Sequence, residues 1–489
     1  MALILTVGFC SAGTASDVLR IGSKRFTEAY ILAEVLAQTA RPHATVEVQS
    51  GLGNTAIVYA ALRAGSIDLY PEYTGTIAQE IVKDPGASTL LALRERLAPL
   101  GLGVDVALGF NDGYALAMRA DKAQALGIRK LSDLAAHPAL RLGLSHEFIG
   151  RADGWPGLAR RYGLAQQPAG LDHGLAYDAV AKAQVDVIDI YTTDAKIEHL
   201  GLRVLDDDAA HFPRYDAVLL YRLDVPQRFP AAWAALRRLD HGVTERQMIA
   251  MNARAELQGV PFDRIAKDHL AGQAGVASQA GFWSRLFGPD LLRLSAQHVG
   301  LVFTSVLAAA LIGVPLAAWV APHARARALV LGATGLLQTV PSLALLAALI
   351  GLLGRIGTAP ALLALTLYAL LPILRNTCTG LAGVPMGLKD AANALGLTTR
   401  QRLWLIELPL ALPVMLAGVR TATALSVGTA TIAAFIGAGG YGERIVTGLA
   451  LNDSHLMLAG ALPAAALALA FEALFESFDR RLRRRQAIT

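Results

Sequence analysis

Apolar positions along this chain follow two regimes. Through residue 270, short β-rich apolar runs alternate with stretches of helical spacing. The runs VLRIGS (18–23), TVEVQS (45–50), IDLY (67–70), RLGLS (141–145), VDVIDIY (185–191) and RVLDDD (203–208) predict strands, and residues 27–40 and 54–64 predict helices among them. That alternation implies βαβ units with parallel pairing. Two runs end in similar chemistry, one over 67–76 and one over 187–193. Ligands of open α/β sheets sit beyond the carboxyl ends of strands, so two such ends predict two lobes facing one cleft. From residue 291 the pattern changes. No Lys, Arg, Asp or Glu stands between Arg293 and Arg325, between Arg327 and Arg355, or between Arg355 and Arg375, and 421–442 and 454–471 are equally clean. A spanning helix needs ~20 apolar residues. Five are predicted, over 296–320, 328–354, 358–378, 410–437 and 455–475. The fold class is therefore multidomain: an α/β two-lobed N-terminal domain followed by an all-α transmembrane domain.

Composition sharpens the division. The chain has 489 residues, of which 17% are charged, with a mean hydropathy of +0.43. Residues 1–290 carry a net charge of −3 and residues 291–489 one of +8. The basic excess is a property of the membrane loops. No basic patch interleaves with aromatics, so nucleic acid is not expected as a partner. Arg325 and Arg327 follow the first helix, Lys389, Arg400 and Arg402 the third, and a run from Arg480 to Arg485 the fifth. By the positive-inside rule these loops are cytoplasmic, which puts residues 17–290 outside. Residues 1–16, apolar and then small, have the shape of an export signal, which agrees independently. The expected organisation is a signal-like segment 1–16, an outer domain 17–270, a Gly/Ala/Ser-rich linker 271–290 and a transmembrane domain 291–489. Cys10 and Cys378 cannot form a disulfide framework or a zinc site. The triplet Asp206, Asp207 and Asp208 reads as a solvated turn. There is no H-E-x-x-H pair and no G-x-S-x-G elbow, so no enzyme, metal or chain-borne cofactor is expected.

The loop 387–409 is long and amphipathic. It resembles the coupling loop of ABC importer permeases, in which E-A-A is followed by Gly and then I-x-L-P. Asp390, Ala391, Ala392, Gly396, Ile406, Leu408 and Pro409 stand at that spacing, with Asp390 in place of the family's Glu. The resemblance implies docking on an ATPase subunit. A phosphate-cradling loop needs a Gly-Lys pair, and the chain has none. The ATPase, and the ATP, are therefore expected on a separate partner.

The outer domain carries a resemblance of its own. Residues 22–28 (GSKRFTE), 70–76 (YPEYTGT), 109–118 (GFNDGYALAM), 151–157 (RADGWPG), 185–194 and 211–215 look like the binding proteins of glycine betaine, carnitine and choline importers. Residues 338–346 and 370–376 resemble the permease of the same systems. The chain thus looks like a fusion of a type II-like periplasmic binding protein with its permease. The resemblance implies an aromatic cage at Tyr73, Tyr114, Tyr191 and Tyr215 and carboxylate contacts at Lys24, Thr76 and Arg151. The physics is consistent. A quaternary ammonium has no N–H and is held by aromatic faces, and ten of the twelve tyrosines precede residue 290. If Lys24 and Arg151 clamp a carboxylate, zwitterions should bind better than choline. Ergothioneine, another betaine, is an alternative solute. With five helices per chain, two copies and two ATPase subunits are expected in a bacterial inner membrane, the binding domain being periplasmic. A reading from another class, a transmembrane solute sensor, is disfavoured by the coupling loop.

Overall fold

The computed structural model describes residues 17–273, 281–451 and 453–486. The signal-like segment with Cys10, and linker residues 274–280, lie outside the described residues.

The N-terminal domain holds two five-stranded sheets. In the first the order is Thr45–Gln49, Val18–Gly22, Leu69–Tyr73, Asp216–Arg222 and Leu102–Asn111. The first three strands run parallel and the last two pair antiparallel. The second sheet is ordered Ala169–Leu171, Leu142–Ser145, Val187–Tyr191, Tyr114–Arg119 and Leu202–Val204. The chain passes between the sheets at 112–113 and again over 205–215, so each sheet centres one lobe and the two passages form the hinge.

Helix Thr27–Ala40 forms where expected and buries eleven of its fourteen residues against the first lobe. Leu69–Tyr73 is buried along its whole length, which suits a strand covered on both faces. It starts and ends later than the 67–70 expected. Its parallel partner pairs with it only at Leu69, so Pro71 lies where a missing N–H removes no bond on that side, and the strand continues to Tyr73. The last expected strand, 203–208, is shortened to Leu202–Val204, because Asp207 turns away to accept the N–H groups of His211 and Phe212.

Four strands escaped the sequence reading. The longest, Leu102–Asn111, has its period broken: Val106 takes a φ of +56° and the ladder shifts register near Val218. Such a bulge flips the faces on which a period-two reading depends. Tyr114–Arg119 is buried over its first five residues and shows no alternation.

Among the described residues, four C-terminal helices are long and apolar enough to cross a membrane: Leu291–Val320, Thr358–Ala382, Thr399–Ile436 and Ser454–Phe478. The second expected span, 328–354, is not one helix. Ala324–Thr339 and Ser342–Leu353 meet at 102°, and counting them as one bent span restores five. Val340 is extended, as the residue before a proline prefers, and Pro341 begins the next helix. Helices Thr358–Ala382 and Leu408–Ala430 pack backbone to backbone. A Cβ at Gly418 would stand 2.8 Å from the Pro372 carbonyl, so only glycine permits that approach. Arg420, midway along Leu408–Ala430, pairs with Glu472 of the last helix.

Each lobe also touches the helical domain. From the first lobe, Arg25 stacks over Phe435 at 4.9 Å and Ser66 Oγ accepts the Ile356 N–H at 3.4 Å. From the second lobe, Lys196 Nζ donates to the Leu451 carbonyl at 3.5 Å.

Candidate functional site

The four tyrosines singled out from the sequence converge where the lobes meet. Tyr73 ends its strand in the first lobe. Tyr114 opens a second-lobe strand just after the first crossing and pairs in register with Tyr191, which ends the neighbouring strand. Tyr215 closes the second crossing. The Tyr114 ring lies 5.1 Å from that of Tyr191 and 5.6 Å, edge to face, from that of Tyr215. Tyr73 joins through Phe26, whose ring stacks 6.2 Å from Tyr73 and 5.3 Å from Tyr191. Lys24, Thr76, Asp112 and Glu147 complete the lining of one cavity with these rings. Arg151 flanks it, its guanidinium 5.2 Å over Tyr114. Every expected site residue of the outer domain is therefore in or against one cleft.

The free space among the rings is about 10 Å³, room for about one water. A vestibule of about 230 Å³ adjoins it through Phe26, Glu147 and Tyr191. Its wall includes Arg25, Asp172, His173 and, from the helical domain, Ala450. A cation held between two opposed faces needs each ring centroid within ~6 Å. Rings stacked 5–6 Å from one another must part to admit it.

Both cations expected to hold a carboxylate are already paired. Lys24 Nζ bonds Glu72, and both groups are buried. Arg151 forks onto Asp153 through Nε at 2.8 Å and Nη2 at 2.6 Å, and Tyr215 donates its hydroxyl to the same carboxylate at 2.6 Å. What remains outward is Arg151 Nη1, 3.4 Å from Thr76 Oγ1 and 3.9 Å from Glu147. A solute carboxylate would thus find one guanidinium edge and one hydroxyl rather than two open cations. Burial raises the phenols of Tyr73, Tyr114 and Tyr191 well above their usual 10, so these rings stay neutral.

Sequence reasoning missed Phe26, Asp112, Glu147 and His173. Phe26 stood inside a quoted segment, 22–28, and its position beside Lys24 was the available signal. His173 had none: it packs 4.5 Å from Tyr191 only through the fold. Burial alone would lower its pKa, but Asp194 at 3.0 Å prevails and raises it to about 9.

The loop 387–409 folds into helix Met386–Ala394, a glycine turn, helix Thr399–Arg402 and the wider turn Leu403–Glu407 leading into Leu408–Ala430. Thr398 and Gln401 cap the second helix reciprocally. Gly396 has a φ of +76°, the left-handed region that favours glycine. Ala392 is buried and holds the loop down, Ile406 and Leu408 are half-buried, and Asp390, Ala391 and Pro409 are exposed. Arg402, which the motif does not include, bonds Glu407 at 2.6 Å and Asn393 at 2.8 Å and ties the two arms together. Leu395, Trp404 and Leu405 are each more than 60% exposed, an apolar face that suits a protein partner.

Residues 17–272, just over half of the chain, match the family described as the substrate binding domain of ABC-type glycine betaine transport systems. Residues 309–484 match the family described as the inner membrane component of binding-protein-dependent transport systems. The osmoprotectant import permease OsmY of Salmonella typhimurium is 47% identical over 195 residues, 40% of this chain and 82% of its own length. The glycine-betaine-binding protein of Pseudomonas aeruginosa is 33% identical over 294 residues, 55% of this chain and 94% of its own. The ergothioneine transport permease/ergothioneine binding protein EgtU of Helicobacter pylori is 31% identical over 262 residues, 52% of this chain and 47% of its own.

Proposed function

Since the chain belongs to the ABC-type glycine betaine importers, as a substrate-binding domain fused to a binding-protein-dependent permease, we propose that it captures a quaternary-ammonium solute outside the membrane and passes it to its own helical domain. It is a transport subunit rather than an enzyme, and ATP is hydrolysed by a separate subunit. The observation that carries the substrate class is the convergence of Tyr73, Tyr114, Tyr191 and Tyr215 in a cleft between two hinged lobes. Neutral, buried rings offer faces that bind a cation with no N–H to donate. Tyr73, Tyr114, Tyr191 and Tyr215 hold the ammonium, with Phe26 as a further face. Arg151 and Thr76 receive a carboxylate when the solute has one, and Lys24 orders the wall through Glu72.

Charge pairing modifies the preference for zwitterions. Lys24 and Arg151 are compensated by Glu72 and Asp153, and Glu147 adds a carboxylate to the wall. Choline therefore belongs with glycine betaine among the solutes to titrate, and ergothioneine with them in view of the Helicobacter pylori relative. The protein sits in a bacterial inner membrane with residues 17–270 on the periplasmic side and loop 387–409 on the cytoplasmic side. Asp390, Ala391, Ala392, Gly396, Ile406, Leu408 and Pro409 couple it to the ATPase. Two copies, with two ATPase subunits, form the pathway.

The test is reconstitution of the full chain with its ATPase in proteoliposomes, following labelled glycine betaine and choline. ATP-dependent accumulation of either is expected. No accumulation of any quaternary-ammonium solute, with an active ATPase present, removes the substrate class.

A further inference from the structure

Behind the cage lies a buried polar layer that solute capture, as described so far, does not use. Glu28 comes from the first-lobe helix Thr27–Ala40, Asp112 from the first crossing, and Thr193 from the second lobe just beyond strand Val187–Tyr191. None of the three is more than 4% exposed. Thr193 Oγ1 is 2.6 Å from Glu28 Oε2 and 2.9 Å from Asp112 Oδ1. A hydroxyl carries one proton, and an ionised carboxylate only accepts. With both carboxylates ionised, one of these two short contacts would set lone pairs against lone pairs. Its neighbours fix the direction. The Thr193 N–H donates to Asp112 Oδ1 at 3.2 Å, so that oxygen is an acceptor. Glu28 Oε1 accepts from the Tyr73 phenol, which leaves Oε2 as the place for a proton.

The surrounding charges leave that proton in place. His173 is held by Asp194 at 3.0 Å, and the carboxylate paired with Lys196 is Glu256, at 3.9 Å. No Lys, Arg or His nitrogen lies within 4 Å of a Glu28 or Asp112 oxygen among the described residues. Asn252, the remaining polar neighbour, directs its amide N–H groups at the Thr193 carbonyl and hydroxyl.

We propose that the closed cleft binds one proton on Glu28 Oε2, which donates to Thr193 Oγ1, which donates in turn to Asp112 Oδ1. Glu28 and Thr193 belong to different lobes, so parting the lobes breaks this chain and returns Glu28 to water. There a glutamic acid ionises near its ordinary ~4.3. Closure therefore takes a proton from solvent and opening returns it. Burial pushes Glu28 up to about 7 and raises Asp112 well above its usual range as well, so the two carboxylates compete for one proton, and the Thr193 N–H on Asp112 Oδ1 is what places it on Glu28. The sign follows. A group whose acid form belongs to the closed state favours closure below its closed-state value, and that contribution is lost as pH rises through it. Both members of the His173–Asp194 pair come from the second lobe.

The proposal rests on the reading of this cleft as the solute site, and the test separates the two. The full chain in lipid nanodiscs is titrated calorimetrically with glycine betaine and with choline at pH ~6, in two buffers of different ionisation enthalpy. Uptake of about one proton per bound solute is expected, with affinity falling toward tenfold per pH unit between ~4.3 and about 7 and levelling off above that. Binding without proton uptake overturns the proposal. In Glu28→Gln the amide donates to Thr193 and its oxygen accepts from Tyr73, so uptake should vanish and affinity should become flat with pH. Should neither solute bind, the solute reading fails by itself. The infrared carbonyl band of a protonated buried carboxyl group then decides: present in the wild type and absent in Glu28→Gln is expected, and its absence from the wild type overturns the proposal.

Discussion

Arg151 shows how much a single residue's role depends on its partner. As an open clamp it could be removed with loss of binding alone. Forked onto buried Asp153 it is half of an ion pair, and truncation leaves the carboxylate uncompensated, a change that destabilises by about 3–5 kcal/mol. Arg151→Ala is therefore expected to lower the thermal midpoint of the full chain as well as its solute affinity, and a wild-type midpoint would show Asp153 compensated elsewhere. The tyrosines act differently, because what they offer is a face. At Tyr114 a Phe keeps that face and an Ala removes it, so Tyr114→Phe should bind near wild type. Tyr114→Ala should lose about 0.5–2 kcal/mol, roughly 2- to 30-fold in Kd, read by calorimetry. These positions were legible because the short segments that carry them resemble those of known binding proteins, a likeness read within a few consecutive residues. His173 was not, because nothing in its own segment states which ring it will meet.

At the scale of the element, the loop 387–409 is a rigid elbow rather than a connector. Its geometry rests on Gly396 in a left-handed conformation and on Arg402 bridging Asn393 and Glu407. A Cβ at Gly396 meets no neighbour, so Gly396→Val acts through backbone strain alone, about 1–2 kcal/mol for an L-residue. Arg402→Ala and Gly396→Val should both leave solute binding intact and reduce ATP-dependent uptake, with uptake and binding measured on the same preparations. Equal loss of both would place the loop's effect in folding. The motif residues were readable because their spacing is a property of the chain. Arg402, outside the motif, was not, since its role needs two partners five and nine positions away. The bend at Val340–Pro341 was hidden for a related reason. Hydropathy counts apolar residues and does not register a change of axis.

Across the whole molecule, the two lobes rest on different parts of the permease. The first touches Phe435 and Ile356, and the second touches Leu451 through Lys196 and packs Gly174 against the carbonyls of Leu449 and Ala450. A Cβ at Gly174 would stand 2.6 Å from the Leu449 carbonyl. Gly174→Val should therefore push the second lobe off the permease, leaving solute affinity within about threefold while ATP-dependent uptake falls about tenfold or more, as a contact that serves delivery alone requires. Uptake at the wild-type level would mean that this contact is not used in transfer.

The sequence by itself determined the two-domain division, the apolar helices, the segments that carry the tyrosines and the register of the coupling motif. Each of these is written in charge, periodicity or spacing along a few tens of residues. Only the tertiary structure decided which charges are already compensated, where a bulge interrupts a strand, which rings face one another, and that Glu28, Asp112 and Thr193 meet across the hinge. Those facts belong to pairs up to 165 positions apart, such as Glu28 with Thr193, and no local pattern encodes a partner at that distance.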